Sequence, residues 1–369
     1  MEKNKKKIIF FMPSIEGGGV EKNLFIISNY VINRSDDVSI ITFDKKFKNF
    51  FNQKIKFLTA KNIETNKRYS KYYKYFRCII LLIKEYYNNK NILVISFQAN
   101  IYAIILAFFF RFKIISRSNS SPSGWNQNFI KKIIFKFFFS YADEIIVNSK
   151  EFQKEFKNKF NIKTKCIYNP LNKYEILKLS RKKTRLNFLD NKSYLRIINV
   201  ARFTDQKDHM TLLKCFKSLN KKIQTRLLII GYGTNKSKII NFIKHNKLGK
   251  SVKVLDFNIN PYPYIKKSDL FVLTSRYEGL PNVLLEAQLL RKFVISSDCR
   301  TGPREILKNG KLGYLFKVGD HIMLEKKILD FKKFKNKLSI KINSAYRQLN
   351  RFDYEYNCRN YWKLISKYI

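Results

Sequence analysis

Glycine and proline are scarce in this 369-residue sequence, at 12 and 7. That scarcity excludes a collagen-like or low-complexity chain. Cysteine is thinly spread: Cys78, Cys166, Cys215, Cys299 and Cys358 form no Cys-x-x-Cys pair and no Cys/His cluster. Neither a disulfide framework nor a zinc site is expected. Histidine is rarer still. His209, His245 and His321 are not spaced for metal or triad work, and each reads as a surface or helix-capping residue. No Gly-x-Ser-x-Gly elbow occurs. Long apolar runs are missing too. The longest, Ile101–Phe110, has ten residues and stops at Arg111, whereas a spanning helix needs about 20. The apolar stretch behind the basic N-terminus, Ile8–Met12, falls short of the roughly 7–15 residues of a secretory signal. A cytoplasmic chain is the expectation.

Acid is in short supply. Lys and Arg number 74 against 27 Asp and Glu, for a net charge of +47. Hydrophobic residues at 45% and aromatics at 15% still supply packed cores, which excludes a disordered chain. The length suggests two domains. The excess charge is spread along the chain, between +2 and +10 in each successive block of fifty. A nucleic-acid module would concentrate it on one element, so no specific nucleic-acid partner is expected. Lys-coated solvated faces are the plain reading. Attraction to an anionic membrane surface fits as well.

Lys7–Met12 reads as a buried strand that runs into Gly17-Gly18-Gly19, followed by a helical pattern over Val20–Val31. Strands at Val38–Phe43, Ile92–Phe97, Lys113–Ser116 and Glu144–Asn148 alternate with helices at Tyr75–Tyr86, Ala99–Phe110, Phe129–Tyr141 and Lys150–Phe160. The basic stretch Lys178–Lys192 reads as a linker. The alternation then restarts. Strands are expected at Leu195–Ala201, Arg226–Gly231, Val252–Leu255, Leu270–Thr274 and Phe293–Ser296, and helices at His209–Asn220, Lys236–Lys247, Tyr264–Ser268 and Pro281–Leu290. Two βα series imply two doubly wound α/β domains, with ligands at the carboxyl ends of the strands and a cleft between the domains.

Leu270–Glu286 is the most informative stretch. A buried strand leads into a loop, and Pro281 is expected at the first helical position. Free N–H groups from Gly279 to Val283 would then form an anion site suited to phosphate. Glu278 and Glu286 lie eight residues apart, and a vicinal diol such as a ribose would suit Glu286. The alternative is an ordinary strand–loop–helix with two solvated carboxylates. In Asn199–Lys207, Arg202 and Lys207 flank another turn at a strand end. Two fixed cations there suit a diphosphate, or simply face solvent. The Gly17–Gly19 loop and Gly231-Tyr232-Gly233 allow close backbone approach, or are plain tight turns.

These stretches together resemble the family-4 retaining glycosyltransferases of the GT-B fold. The likeness runs from GGGVEKN (Gly17–Asn23) through RSNSSPSGW (Arg117–Trp125), YADEIIVNS, YNPLN and ARFTDQK to LTSRYEGLPNVLLEA, SSDCRTGPREIL and NGKLGYLFKVGD. It implies two doubly wound Rossmann-like domains facing a central cleft. The acceptor-side domain would span 1–175 plus a crossing helix at 350–369, and the nucleotide-sugar domain 193–349. It further implies transfer of a hexose or N-acetylhexosamine from a nucleotide-sugar, UDP-linked by the likeness of GLPNVLLEA. No cofactor and no metal would be needed. With no Asp-x-Asp in the sequence, Arg and Lys would neutralise the diphosphate.

By the same resemblance Arg202, Lys207 and Glu278 serve catalysis. Gly18, Gly19, Phe257, Asn258, Gly279, Leu280, Pro281, Asn282 and Glu286 join them in holding the donor, and Arg117 and Asn119 face the acceptor. The acceptor expected is a polyprenyl-diphosphate-linked glycan of surface polysaccharide, at the inner face of the cytoplasmic membrane. Lys131–Phe139 mixes Lys with Phe and Ile, as a membrane-surface helix or a packed helix with exposed Lys would. A nucleic-acid-binding protein and a non-transferase nucleotide-sugar enzyme are the competing readings.

Overall fold

The computed structural model describes residues 6–60, 69–119, 129–184 and 186–369. The chain divides into two compact units, Met1–Pro170 with Tyr354–Ile369, and Leu171–Asp353.

The first unit is built on strands β1 (Lys7–Phe11), β2 (Val38–Ile41), β3 (Lys56–Leu58), β4 (Ile92–Ser96), β5 (Lys113–Arg117), β6 (Glu144–Val147) and β7 (Lys165–Cys166). They pair in parallel in the order β3-β2-β1-β4-β5-β6-β7. Ile8–Phe11 of β1 and Ile92–Ile95 of β4 are apolar and buried because both faces of the sheet are covered. Helix α1 (Gly19–Ile32) packs on one face. Helices α2 (Lys71–Asn88), α3 (Asn100–Phe110), α4 (Phe129–Ser140) and α5 (Lys150–Phe160) contribute Cys78, Ile104, Phe139 and Phe156 to the core on the other.

The second unit opens with α6 (Lys173–Leu179) and continues β8 (Leu195–Val200), α7 (His209–Lys222), β9 (Thr225–Ile230), α8 (Lys236–His245), β10 (Val252–Leu255), α9 (Tyr262–Lys267), β11 (Leu270–Leu273), α10 (Asn282–Leu289), β12 (Phe293–Ser297), α11 (Pro303–Ile306), β13 (Tyr314–Phe316), α12 (His321–Phe334) and α13 (Ser339–Arg347). Its sheet is also parallel, in the order β10-β9-β8-β11-β12-β13. Both sheets are doubly wound, and the α/β reading of the sequence holds in each.

The stretch expected as a linker does not behave as one. The second unit begins at Leu171, and α6 ends inside Lys178–Lys192. Leu189 is buried there, and Arg196 and Arg226 donate to the carbonyls of Leu189 and Phe188. A high Lys count concealed these two apolar anchors.

The last helix, α14 (Tyr354–Ile365), belongs to the first unit. Tyr361, Leu364 and Ile365 enter the core beside β1, and the Tyr30 hydroxyl donates to Glu355 Oε1 at 2.7 Å.

Candidate functional site

Strand order fixes where a crevice can open. In a doubly wound sheet it lies beyond the carboxyl ends of the two strands from which the chain winds in opposite directions. In the second unit these are β8 and β11. Their ladder pairs only Ile197 with Leu270 and Ile198 with Phe271. Beyond it the Asn199 side chain spans the gap, donating from Nδ2 to the Val272 carbonyl at 2.8 Å. The two strand ends diverge past that point, and their loops carry Arg202, Lys207 and Glu278.

These loops are tied to each other. Thr274 Oγ1 donates to the Lys207 carbonyl at 2.9 Å, and the Arg276 N–H donates to the Gln206 carbonyl at 2.8 Å. Gln206 Nε2 donates to the Tyr277 carbonyl at 2.9 Å. At the centre, Lys207 Nζ forms an ion pair with Glu278 Oε1. Ser275 Oγ donates to that same oxygen at 2.6 Å. Glu278 is only 7% exposed, so its charge depends on these partners rather than on water. The sequence offered a solvated pair of carboxylates as one alternative, and Glu278 is not solvated.

The β12 loop closes over this pair. Thr301 Oγ1 donates to the Glu278 carbonyl, and Ser297 Oγ donates to the Ser275 carbonyl at 2.5 Å. Gly302, at φ +84°, comes so close that a Cβ there would lie 1.8 Å from the Gly279 carbonyl oxygen. On the other side the β9 loop packs onto Ala201–Phe203. A Cβ at Gly231 would lie 1.9 Å from the Ala201 oxygen, and one at Gly233 2.4 Å from the Phe203 oxygen. Both glycines therefore set a loop approach, beyond the tight turn the sequence allowed. Phe257 reaches the same region by stacking edge-on against Tyr232, ring centres 5.4 Å apart. Asn258 Oδ1 accepts from the Asn260 N–H at 2.9 Å, which shapes its own loop.

Helix α10 follows directly. Pro281 is its N-cap, with extended backbone, and helical residues start at Asn282. This corrects the first-turn position expected for Pro281. The proline's fixed φ suits the cap equally, because no N–H is needed there. Gly279, Leu280 and Pro281 are buried, and Asn282 is partly exposed. Glu286, 2% exposed, accepts from the buried Tyr262 hydroxyl at 3.3 Å. Tyr262 on α9 thus helps to orient this buried carboxylate.

Behind Lys207 the chain turns through Asp208, which has a positive φ of 43° and caps α7 by accepting from Thr211 N–H and Oγ1 at 3.3 and 2.9 Å. His209 follows. The sequence placed it at the surface or in a cap, but its ring is buried edge-on against Phe203. Burial first, then the neighbouring Lys207 charge, pull its imidazole down to about 4. It is neutral at physiological pH.

Four of the expected residues, Gly18, Gly19, Arg117 and Asn119, belong to the first unit. Gly18 is the N-cap of α1 and Gly19 its first residue, both in the first unit. Glu21 accepts from the Glu16 N–H at 3.3 Å beside them. Arg117 is the main correction. Expected to face an acceptor, it is fully buried in the first unit. Nε donates to the Tyr361 hydroxyl at 2.9 Å and Nη2 to Asn169 Oδ1 at 2.6 Å, with the Phe97 ring centre 5.0 Å away. Its guanidinium fastens α14 to the sheet. Asn119 holds the β4 loop, donating to the Phe97 carbonyl at 2.6 Å. Most of the RSNSSPSGW stretch, at 120–125, lies outside the described residues.

Sequence reasoning gave no role to Ser275, Thr301, Gly302, Tyr262 or His209. The runs LTS and ISSDCRTG hold the only signal for the first three, small polar residues where a buried strand ends. Nothing in the local pattern singled out Tyr262.

Known proteins resemble this chain at several levels. Residues 180–348 match the family model described as Glycosyl transferases group 1. An uncharacterised glycosyltransferase of Methanocaldococcus jannaschii is 37% identical over 201 residues, covering 51% of this chain and 48% of that protein. The chain spans about half or less of the length of the first curated relatives it matches. A Campylobacter jejuni α-1,4-N-acetyl-D-galactosaminyltransferase, named for a diphospho-undecaprenol-linked GalNAc substrate, is 24% identical over 98% of both chains. The crystal structure of Anabaena Alr3699/HepE in complex with UDP-glucose superposes with a TM-score of 0.79 at 20% identity, covering 98% of this chain and 99% of that one. The fold is therefore that of the GT-B glycosyltransferases.

Proposed function

We propose, from the premise that residues 180–348 are a glycosyl transferases group 1 domain, that the chain is a retaining glycosyltransferase. It moves a hexose or N-acetylhexosamine from a UDP-sugar to a polyprenyl-diphosphate-linked glycan at the inner face of the cytoplasmic membrane. The observation that carries this reading is the meeting of Lys207, Glu278 and the start of α10 where β8 and β11 diverge. Such a crevice suits a nucleotide diphosphate. The α10 N–H groups and the Lys207 and Arg202 cations receive the phosphates. Glu286, steadied by Tyr262, accepts from the ribose hydroxyls.

In the reaction the acceptor oxygen attacks the sugar's anomeric carbon on the face the diphosphate leaves. The carbon–oxygen bond to phosphate breaks, and the acceptor proton passes to a phosphate oxygen. Lys207 and Arg202 stabilise the charge gathering on the departing diphosphate. With these cations in that role, chelators are expected to leave the rate unchanged. The Campylobacter relative's named substrate and the UDP-glucose held by the Anabaena protein support the choice of acceptor and donor class.

Calorimetric titration with UDP-sugars tests the reading. Saturable binding lost in Glu286→Ala, with an α-linked product from an α-linked donor by NMR, is the expected result. Inversion at the anomeric carbon, or UDP affinity untouched by Glu286→Ala, would overturn it.

A further inference from the structure

We propose that Lys292 is a carbamylation site, where carbon dioxide adds to the side-chain amine. The site goes beyond the transferase reading and does not depend on it. The residues concerned lie where the strands of the second sheet begin, at the end opposite the crevice.

Register brings these residues together. Ile197 pairs with Leu270, and Leu270 with Phe293. The residues one step earlier, Arg196, Asp269 and Lys292, therefore stand in a row across the starts of β8, β11 and β12. Asp269 is the carboxylate of this row, and it is fully engaged. Arg196 donates to it from Nε at 2.8 Å, from Nη2 at 2.9 Å and from its backbone N–H at 3.1 Å. Lys335 Nζ adds a further bond at 3.0 Å. Asp190, the other carboxylate acting on Arg196, pairs with Lys267 Nζ at 2.6 Å.

Lys292 is left over. It is half-buried, and its Nζ makes no hydrogen bond or ion pair with the described residues. The charges that face it are Asp269, already taken, and the cations Arg196, Lys335 and Lys266. The adjacent Arg291 is occupied by Asn343 and the Tyr346 ring. Burial first, then the three cations, pull the Lys292 ammonium down to about 8 against the opposing effect of Asp269. At neutral pH a free amine is thus on the order of a hundredfold more abundant here than on an exposed lysine.

The surroundings select the reagent. Three cations share one saturated carboxylate, so the position favours a group that turns negative. A dissolved anion would have to shed its water to reach a half-buried amine. Carbon dioxide is small and uncharged, and becomes anionic only once bonded. The amine lone pair attacks its carbon, one carbon–oxygen π pair moves onto oxygen, and the nitrogen releases a proton to water. The resulting carbamate puts an anion in place of a cation beside Arg196, Lys335 and Lys266. Acylation would leave a neutral amide, with no counter-charge for them.

Carbon-13 NMR of the full chain under labelled carbon dioxide tests the proposal. The carbamate is then trapped with a trialkyloxonium salt and located by peptide mass spectrometry. A carbamate resonance is expected that grows from about pH 7 to about pH 8.5 at constant gas pressure, with the trapped group about tenfold more abundant on Lys292 than on any other lysine. Lys292→Gln should abolish that resonance, and Lys266→Gln should lower it about threefold. Trapping is read on the unaltered protein, so it decides the matter even where Lys292→Gln folds poorly. Trapped label spread evenly over the lysines, no label on Lys292, or a resonance that survives Lys292→Gln would overturn the assignment.

Discussion

Lys207 and Glu278 stabilise each other, so either one removed alone confuses binding with folding. Lys207→Ala leaves a buried carboxylate with only Ser275 as donor, at a cost of about 3 kcal/mol. Adding Glu278→Gln removes the stranded charge and should restore most of the stability. If Lys207 also neutralises the leaving diphosphate, transfer stays depressed by about 10²–10³-fold in the double variant. Recovery of activity along with the melting temperature would reduce Lys207 to a structural cation. His209 offers a second residue-scale test. Unfolded, its imidazole titrates near 6.5, whereas the folded ring titrates at about 4. Between those values only the unfolded chain takes up the proton. Stability therefore falls as pH drops through that window, by up to about 3 kcal/mol, and the effect vanishes above it. Denaturant unfolding at about pH 7.5 and about pH 4.5 should show His209→Leu losing less stability than the parent on acidification. Parallel losses would refute the assignment.

At the scale of elements, the site is a set of loops whose approach is set by backbone. Gly302→Ala places a methyl 1.8 Å from the Gly279 oxygen at a positive φ. A loss of about 2–3 kcal/mol is expected, along with weakened UDP binding as Gly279–Asn282 shift. Thermal melts and titration on the same sample check both. Most of the long elements were legible in the sequence because their patterns exceed a turn or two, though the helices α12 and α13 were not read. The span Lys150–Phe160 was read to the residue, and Leu195–Ala201 and Phe293–Ser296 to within one. The short edge strands β3, β7 and β13, of three, two and three residues, were not. Too few residues alternate there to show a period, and neighbouring strands decide their pairing. The site was partly legible for the same reason. Arg202, Lys207, Glu278 and Glu286 stood out at strand ends and one helix start. The contact between Lys207 and Glu278 joins residues 71 apart and depends on strand order. Arg117 misled because a basic residue at a strand end looks alike whether it faces a ligand or a tyrosine.

For the molecule as a whole, the two units keep separate cores, and the proposed nucleotide crevice lies at the strand ends of the second. Saturating UDP, at about a hundred times its dissociation constant, should stabilise that unit by about 2.7 kcal/mol. Hydrogen exchange should slow most at 202–207, 275–282 and around 301. Protection spread evenly over both sheets would contradict a crevice at the strand ends of the second.

The placement of α14 has a consequence during synthesis. Arg117 leaves the ribosome long before Tyr361, with all of Leu171–Asp353 translated in between. At ordinary elongation rates that interval is on the order of ten to forty seconds. Throughout it the nascent first unit waits with a guanidinium short of one partner and the groove beside β1 uncovered, an incomplete body until α14 has been made.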